Sequence, residues 1–241
     1  MSKAYLNWSS GKDAALALYK VRNSGSFEIS KLLTTINSEA GRISMHGVRK
    51  ELLMKQSEML GLPLKMVELA GNVSMEKYNR VMKEATGALL KEGYEVSVFG
   101  DIFLEDLKQY REAQLAKIGL KAEFPLWKTD TKTLINEFIE AGFRAIVVCV
   151  NTQKLDESFC GRIIDKDFLQ DLPEDVDPCG ENGEFHTFVF DGPLFKAPVK
   201  FKLGEKVKKS YAPHKKEEDN CFSDDDQSWD TEFCFCDLIP E

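Results

Sequence analysis

The 241-residue sequence predicts an α/β protein: a mostly parallel sheet with helices on both faces, followed by a smaller C-terminal α+β domain. Three observations carry that expectation. Strand-like apolar runs alternate with helical segments through the first half, and a glycine closes most of the helical segments. The alternation stops near Phe124-Pro125, beyond which loops and isolated strands dominate.

The elements follow in order. Ala4 to Trp8 reads as a short buried strand, and after the turn Ser9-Ser10-Gly11-Lys12-Asp13 the run from Ala14 to Tyr19 is rich in good helix formers. Ile29 to Ile36 is a second strand. Val48 to Leu60 carries apolar residues at helical spacing until Gly61 and Pro63 stop it. Leu64 to Leu69 is a third strand, Met75 to Leu90 a helix ended by Gly93, and Val96 to Phe99 a fourth strand running into Gly100-Asp101. Leu104 to Ile118 is a helix, and Ala122 to Phe124 a short strand. In the second half, Lys132 to Ala141 reads as a helix and Ala145 to Val150 as an apolar, valine-rich strand. Phe185 to Phe190, Val199 to Leu203 and Phe233 to Cys236 are strand-like. This divides the chain into 1–124, 125–209 and an acidic tail, 210–241, with a terminal strand. Ser210 to Trp229 has the composition of a mobile linker.

Composition excludes several classes. Hydrophobic residues at 43% and charged residues at 30% are ordinary soluble-globular values. No run of about 18 apolar residues exists to cross a membrane, and no apolar leader opens the sequence. The six cysteines are sparse and irregular, as expected of reduced thiols in a cytoplasmic protein. Ten of the 40 acidic residues, with no Lys or Arg, lie between Glu217 and Glu241, so the formal charge of −8 belongs to that end. The remainder is near neutral and carries no basic stripe suited to DNA.

The chemistry points to the first strand-to-helix turn. Ser9, Ser10 and Gly11 put small residues and unpaired N–H groups at a helix N-terminus, and Lys12 adds a full charge, which together suit a phosphate. On spacing alone an ordinary helix cap reads equally well. The Walker pattern fails, because Leu6 stands where its first glycine belongs and Asp13 follows the lysine; a dinucleotide G-x-G-x-x-G is absent.

The turn resembles the SGGKDS loop of the PP-loop ATP pyrophosphatases, or adenine nucleotide α-hydrolases, with a Rossmann-like (HUP-type) sheet. Ser10 replaces a glycine, which is tolerable if the position does not need a positive φ, and Ala14 replaces the final serine and its hydroxyl. Gly100-Asp101-Ile102, Leu155-Asp156-Glu157-Ser158 with Gly161-Arg162, and the stretch from Cys179 through Glu181, Glu184 and His186 to Phe195 together resemble the diphthine–ammonia ligase family over about residues 1–205. The resemblance implies an ATP-dependent amide ligase that adenylates a carboxylate, releases pyrophosphate and amidates the product with ammonia. It implies ATP held by Ser9, Ser10, Gly11, Lys12, Asp13 and Ala14, with Mg²⁺ shared by the phosphates and Asp13 as its protein ligand. Lys12, Asp13, Asp101, Glu181, Glu184 and His186 are the catalytic candidates.

His46 and Arg49, one helical turn apart, form a second candidate face able to grip a carboxylate or phosphate, although surface residues would read the same way. The glycine-flanked Glu181, Glu184 and His186 read either as a plain polar turn or as acids presented to ammonium or a cationic substrate group. Cys234 and Cys236 lack metal-ligand neighbours in sequence. The implied partners are ATP, ammonia and, where the source makes diphthamide, elongation factor 2; a homodimer is left open. Two alternatives stand: an adenine-nucleotide-binding sensor module, and a PP-loop tRNA-modifying enzyme. Sulfur-inserting versions of the latter carry C-x-x-C pairs, which this sequence lacks.

Overall fold

The computed structural model describes residues 1–43, 46–71, 73–211 and 231–241. Five strands form the first sheet: β1 (Lys3–Asn7), β2 (Glu28–Asn37), β3 (Leu64–Leu69), β4 (Val96–Val98) and β5 (Lys121–Glu123), in the order β3-β2-β1-β4-β5. Every adjacent pair is parallel. Alternation along β1 explains why both faces are covered. Ala4, Leu6 and Trp8 enter one core with α1 (Lys12–Ser24) and α2 (Lys50–Leu60), while Tyr5 enters the other with residues of α3 (Met75–Lys91) and α4 (Glu105–Ala116).

The chain leaves β1 toward β2 and β3, then returns to place β4 on the other side of β1. Outside the carboxyl ends of β1 and β4 lies the switch point at which open α/β sheets hold ligands. There the turn after β1 meets the turn after β4, and Gly100 is required by that meeting. A Cβ on Gly100 would stand 2.8 Å from the backbone carbon of Asp13 and 2.9 Å from the amide nitrogen of Ala14.

A second sheet, antiparallel and ordered β7-β6-β9-β8, comprises β6 (Arg144–Asn151), β7 (Phe185–Asp191), β8 (Phe201–Tyr211) and β9 (Thr231–Pro240). It is accompanied by α5 (Thr131–Glu140) and α6 (Lys166–Asp171). The strand expected at Val199–Leu203 runs on to Tyr211, and the terminal strand pairs with both β6 and β8. Most of the stretch expected to be a mobile linker, 212–229, lies outside the described residues. No described helix is long and apolar enough to cross a membrane.

Candidate functional site

The turn Ser9–Asp13 is shaped by contacts from distant parts of the chain. Gly11 is the N-cap of α1 and offers no side-chain cap. Instead Thr187 on β7 reaches over, its Oγ1 accepting the Lys12 N–H at 3.1 Å. A glycine at the N-cap was the available sign that a capping group must come from elsewhere, but nothing in the sequence said it would come from Thr187.

Ser10 departs from expectation. Its φ is 73°, the left-handed region, so the family glycine is replaced by a residue with a Cβ where a positive φ is adopted. The reason is over-determination. The Ser10 carbonyl accepts the Val189 N–H at 2.9 Å and Gln56 Nε2 at 3.1 Å, and Gln56 Nε2 also donates to the Val189 carbonyl at 2.6 Å. Gln56 is fully buried and fixed further by Trp8 Nε1, at 2.9 Å. The Ser10 hydroxyl is buried with no hydrogen-bond partner among the described residues. Ser10→Gly should therefore relieve about 1 kcal/mol of strain and raise the thermal midpoint, while a lost hydroxyl contact lowers nucleotide affinity. Calorimetry and nucleotide titration on the same variant check the two opposite signs.

Lys12 is 4% exposed and its Nζ lies 2.9 Å from each Asp13 carboxylate oxygen. Burial alone would push the ammonium pKa down, but the charge of Asp13, together with its hydrogen bond to Nζ, outweighs burial and holds the group cationic. Phe185 presents its ring 5.8 Å from Nζ. Asp101 enters from the end of β4, and its Oδ2 accepts from Arg111 Nη1 at 2.7 Å. Its pKa is nonetheless raised, because burial outweighs the Arg111 charge. Glu181 is pushed up to about 8, first by burial and then by Asp13, against the pull of Lys12, with Asp101 and Asp177 adding further repulsion. The turn thus gathers Lys12, Asp13, Asp101 and Glu181 within one electrostatic neighbourhood. Cys179, which the sequence did not single out for this site, joins them; its thiol is pushed up to about 12 by burial and donates to the Thr131 carbonyl at 3.3 Å.

Glu184 does something other than present a free carboxylate. Its Oε1 accepts from the Asp177 N–H at 3.2 Å and Asn182 Nδ2 at 3.1 Å, and its Oε2 accepts from the Asn182 N–H at 2.9 Å. Asp177 Oδ1 accepts the N–H groups of Cys179 and Glu181 at 2.8 and 3.3 Å. The 177–184 loop is therefore braced from within, Glu184 serving as its internal anchor and Glu181 as the acid it presents.

His46 and His186 stack at a centroid distance of 4.7 Å. His46 Nδ1–H donates to the Thr187 carbonyl at 3.1 Å, and its Cε1 would lie 3.1 Å from a Cβ on Gly11. Burial pushes the His46 imidazole down to about 4 and holds His186 well below its ordinary value, so both rings are neutral near pH 7.

Arg49 does not share this face. The helix starts at Lys50, not Val48, which makes Arg49 its extended N-cap and leaves His46 in the preceding turn. The Arg49 guanidinium grips Asp237 on β9 through two bonds, of 3.0 and 2.5 Å, and Arg42 adds a third of 2.8 Å. Asp237 is drawn down to about 2, chiefly by the Arg49 bond, with Arg42 contributing, against the opposing effect of burial. A depressed carboxylate stabilises the fold above its unfolded pKa, and the contribution is lost as pH falls through the folded value. Asp237→Asn should accordingly cost on the order of 1 kcal/mol at pH 7, a difference from the parent that closes between about pH 4 and pH 2 in acid-unfolding curves.

Ser9, Asp13, Ala14, Gly100 and Asp101 line a cleft of about 1180 Å³ that also takes in Thr34 and Thr35 at the end of β2. Ala14 supplies no hydroxyl there. Among the described residues no group of three or more His, Cys, Asp or Glu side chains could hold a metal ion. Asp13 in particular has both oxygens committed to Lys12.

Comparison with known proteins gives a consistent family. The diphthamide synthase N-terminal domain family matches residues 2–122, and the diphthamide synthase C-terminal domain family matches residues 130–218. The chain is similar to the diphthine–ammonia ligase of Schizosaccharomyces pombe, with 33% identity over 87 residues, 34% of this chain and 14% of that protein. It is 31% identical to the Bos taurus diphthine–ammonia ligase over 118 residues, 46% of this chain and 44% of the relative. The Danio rerio diphthine–ammonia ligase is 33% identical over 102 residues, 40% of each chain. The matched stretches span less than half the length of each of these relatives. Among solved structures, the U34-tRNA thiolase NcsA from Methanococcus maripaludis aligns over 58% of this chain and 56% of its own, with 15% identity and a TM-score of 0.36.

Proposed function

This chain belongs to the diphthamide synthase family, and from that premise we propose that it is an ATP-dependent ligase that converts a substrate carboxylate to an amide with ammonia, releasing AMP and pyrophosphate. The observation that carries the reading is the N-terminus of α1, where Gly11 offers no cap of its own and Thr187 takes only the Lys12 N–H, set beside a buried lysine cation and the partnerless, buried hydroxyl of Ser10. A triphosphate satisfies all three: N–H groups and the helix dipole meet phosphate oxygens, and Lys12 meets the charge that builds as pyrophosphate leaves. Ser9, Ser10, Gly11, Lys12 and Asp13 are the residues we assign to it.

The chemistry has two steps. A substrate carboxylate oxygen attacks the α-phosphorus, and the bond to the bridging oxygen breaks, with the electron pair leaving on pyrophosphate. Ammonia then attacks the acyl carbon, and the carbon–oxygen bond breaks, with that pair leaving on AMP. The nitrogen must lose a proton, and Glu181 is the group we assign to take it, since an acid near pH 8 binds and releases protons close to working pH. Asp101 borders the same cleft and orients the acceptor side, while Glu184 braces the loop that presents Glu181. The neutral His46–His186 stack packs behind Gly11 and holds the turn without adding charge beside the phosphates. Among the described residues no group of three or more His, Cys, Asp or Glu ligands forms, so Mg²⁺ would be held mainly by the phosphates, with Asp13, which bonds Lys12, as the carboxylate we assign to it. Elongation factor 2 bearing diphthine is the protein substrate we assign, and the cytoplasm the compartment.

Incubating the chain with ATP, Mg²⁺, ammonium and diphthine-bearing elongation factor 2 should yield AMP and pyrophosphate in step with amide. Formation of ADP and phosphate would mean a different reaction class, and tight ATP binding without turnover on any acceptor would favour the sensor reading.

A further inference from the structure

Within the turn Ser9–Asp13, Ser10 is the residue at positive φ, 73°. A side chain at that φ is unfavourable unless the surroundings enforce it. The enforcing group is one side-chain amide. Gln56, fully buried on α2, uses its whole hydrogen-bonding capacity on three segments. Its Oε1 accepts from Trp8 Nε1 at 2.9 Å, and its Nε2 donates to the Ser10 carbonyl at 3.1 Å and to the Val189 carbonyl at 2.6 Å. An indole N–H can only donate, so Oε1 must face Trp8 and both Nε2 hydrogens must face the carbonyls. Trp8 is pinned in turn: its N–H donates to the Leu33 carbonyl at 2.7 Å, and its carbonyl accepts from the Thr34 hydroxyl.

The consequence reaches the donors of the turn. The described peptide bonds are trans, so a Ser10 carbonyl held against Gln56 turns the Gly11 N–H the opposite way. That N–H makes no hydrogen bond among the described residues, whereas the next one, on Lys12, goes to Thr187 Oγ1. β7 therefore meets the turn on either side of Gly11, through Val189 at the Ser10 carbonyl and Thr187 at the Lys12 N–H. Gln56 ties the first of these contacts together, since it holds both the Ser10 and the Val189 carbonyl.

We propose that Gln56 is a positioning residue for nucleotide binding: it acts through Ser10, holding the left-handed turn that aims the Gly11 N–H at a phosphate oxygen. The proposal rests on the reading that this turn receives a triphosphate; the coupling of Gln56 to Ser10 rests on the hydrogen bonds alone. Once the amide is gone, a serine relaxes toward negative φ, and apparent affinity falls with the fraction of chains that keep the competent turn. A glycine at position 10 populates both signs of φ about equally and has little need of the amide.

The test is a set of titrations of the full chain with a non-hydrolysable ATP analogue and Mg²⁺, below the thermal midpoint of every variant. Gln56→Met is made in three backgrounds, and each loss is measured against the same background with Gln56. With Ser10 present the analogue should weaken roughly tenfold. Ser10→Ala removes the hydroxyl but keeps the Cβ, so the same loss is expected there; with Ser10→Gly it should shrink to about twofold. Gln56→Glu, which keeps an acceptor for Trp8 and removes the amide donors, should repeat the pattern if Gln56→Met does not fold. An equal loss in all three backgrounds would make Gln56 a packing residue only, and a loss that vanishes with Ser10→Ala would route it through the hydroxyl; either result, or no loss with Ser10, overturns the proposal. A folded parent that binds no analogue overturns the nucleotide reading instead. The coupling is then read in the thermal midpoints, where Gln56→Met should cost less with Ser10 than with Ser10→Gly, because only the serine has strain to release; equal costs would remove the coupling too.

Discussion

Lys12→Ala is expected to abolish measurable AMP formation, with kcat falling at least about 10²- to 10³-fold, the loss typical when a fixed electrostatic contact to a developing anion is removed. The side chain is buried and its only hydrogen-bonded partner among the described residues is Asp13, so the variant leaves that carboxylate without its cation. Breaking a buried pair from one side costs roughly 3–5 kcal/mol, toward the low end where Asp13 reaches solvent. Loss of activity could therefore reflect loss of fold. The double variant Lys12→Ala/Asp13→Asn separates these effects: removing both charges should restore most of the thermal midpoint and none of the turnover. Recovery of turnover in the double variant would take Lys12 out of the chemistry.

Glu181→Gln is expected to change activity and stability in opposite directions. Glu181 titrates at about 8 in the folded chain, well above an ordinary carboxyl, chiefly because it is buried and then because Asp13 stands near it. A group whose folded pKa is raised contributes stability that is complete below the unfolded pKa and is lost as pH climbs through the folded one. The parent thus becomes relatively less stable between about pH 4.5 and pH 8, whereas the glutamine variant does not. The substitution should add on the order of 2 kcal/mol at pH 8 and nothing at pH 4, a difference visible in denaturant melts. If the carboxylate accepts the ammonium proton, the parent rate rises with pH toward about 8 and levels off. In the variant that limb is gone and kcat is lower by about 10². A variant retaining the parent's pH–rate limb would assign the proton transfer to another group.

The parallel sheet and the turn after β1 were legible in the sequence because both are local. A buried strand, small residues, a lysine and an alanine-rich helix follow one another within about 20 residues, and each next strand begins after a glycine that closes the preceding helix. What was not legible depends on pairs far apart in the chain. Thr187 caps α1 from 175 residues away, and Arg49 finds Asp237 across 188 residues, which is why helical spacing to His46 misassigned it. Ser10 holds a positive φ because Gln56 and Val189 fix its carbonyl, and no local rule predicts that for a serine. Glu181 and Glu184 look alike in sequence, flanked by the same glycines. Only the hydrogen bonds show that one braces the loop and the other is left to titrate.

The central claim is that a carboxylate oxygen attacks the α-phosphorus of a triphosphate held at the start of α1. Turnover with substrate carrying oxygen-18 in its carboxylate, followed by mass spectrometry of the products, reads that bond directly. One labelled oxygen per turnover should appear in AMP and none in pyrophosphate. Label found in pyrophosphate or inorganic phosphate, or AMP formed without label, would contradict the account.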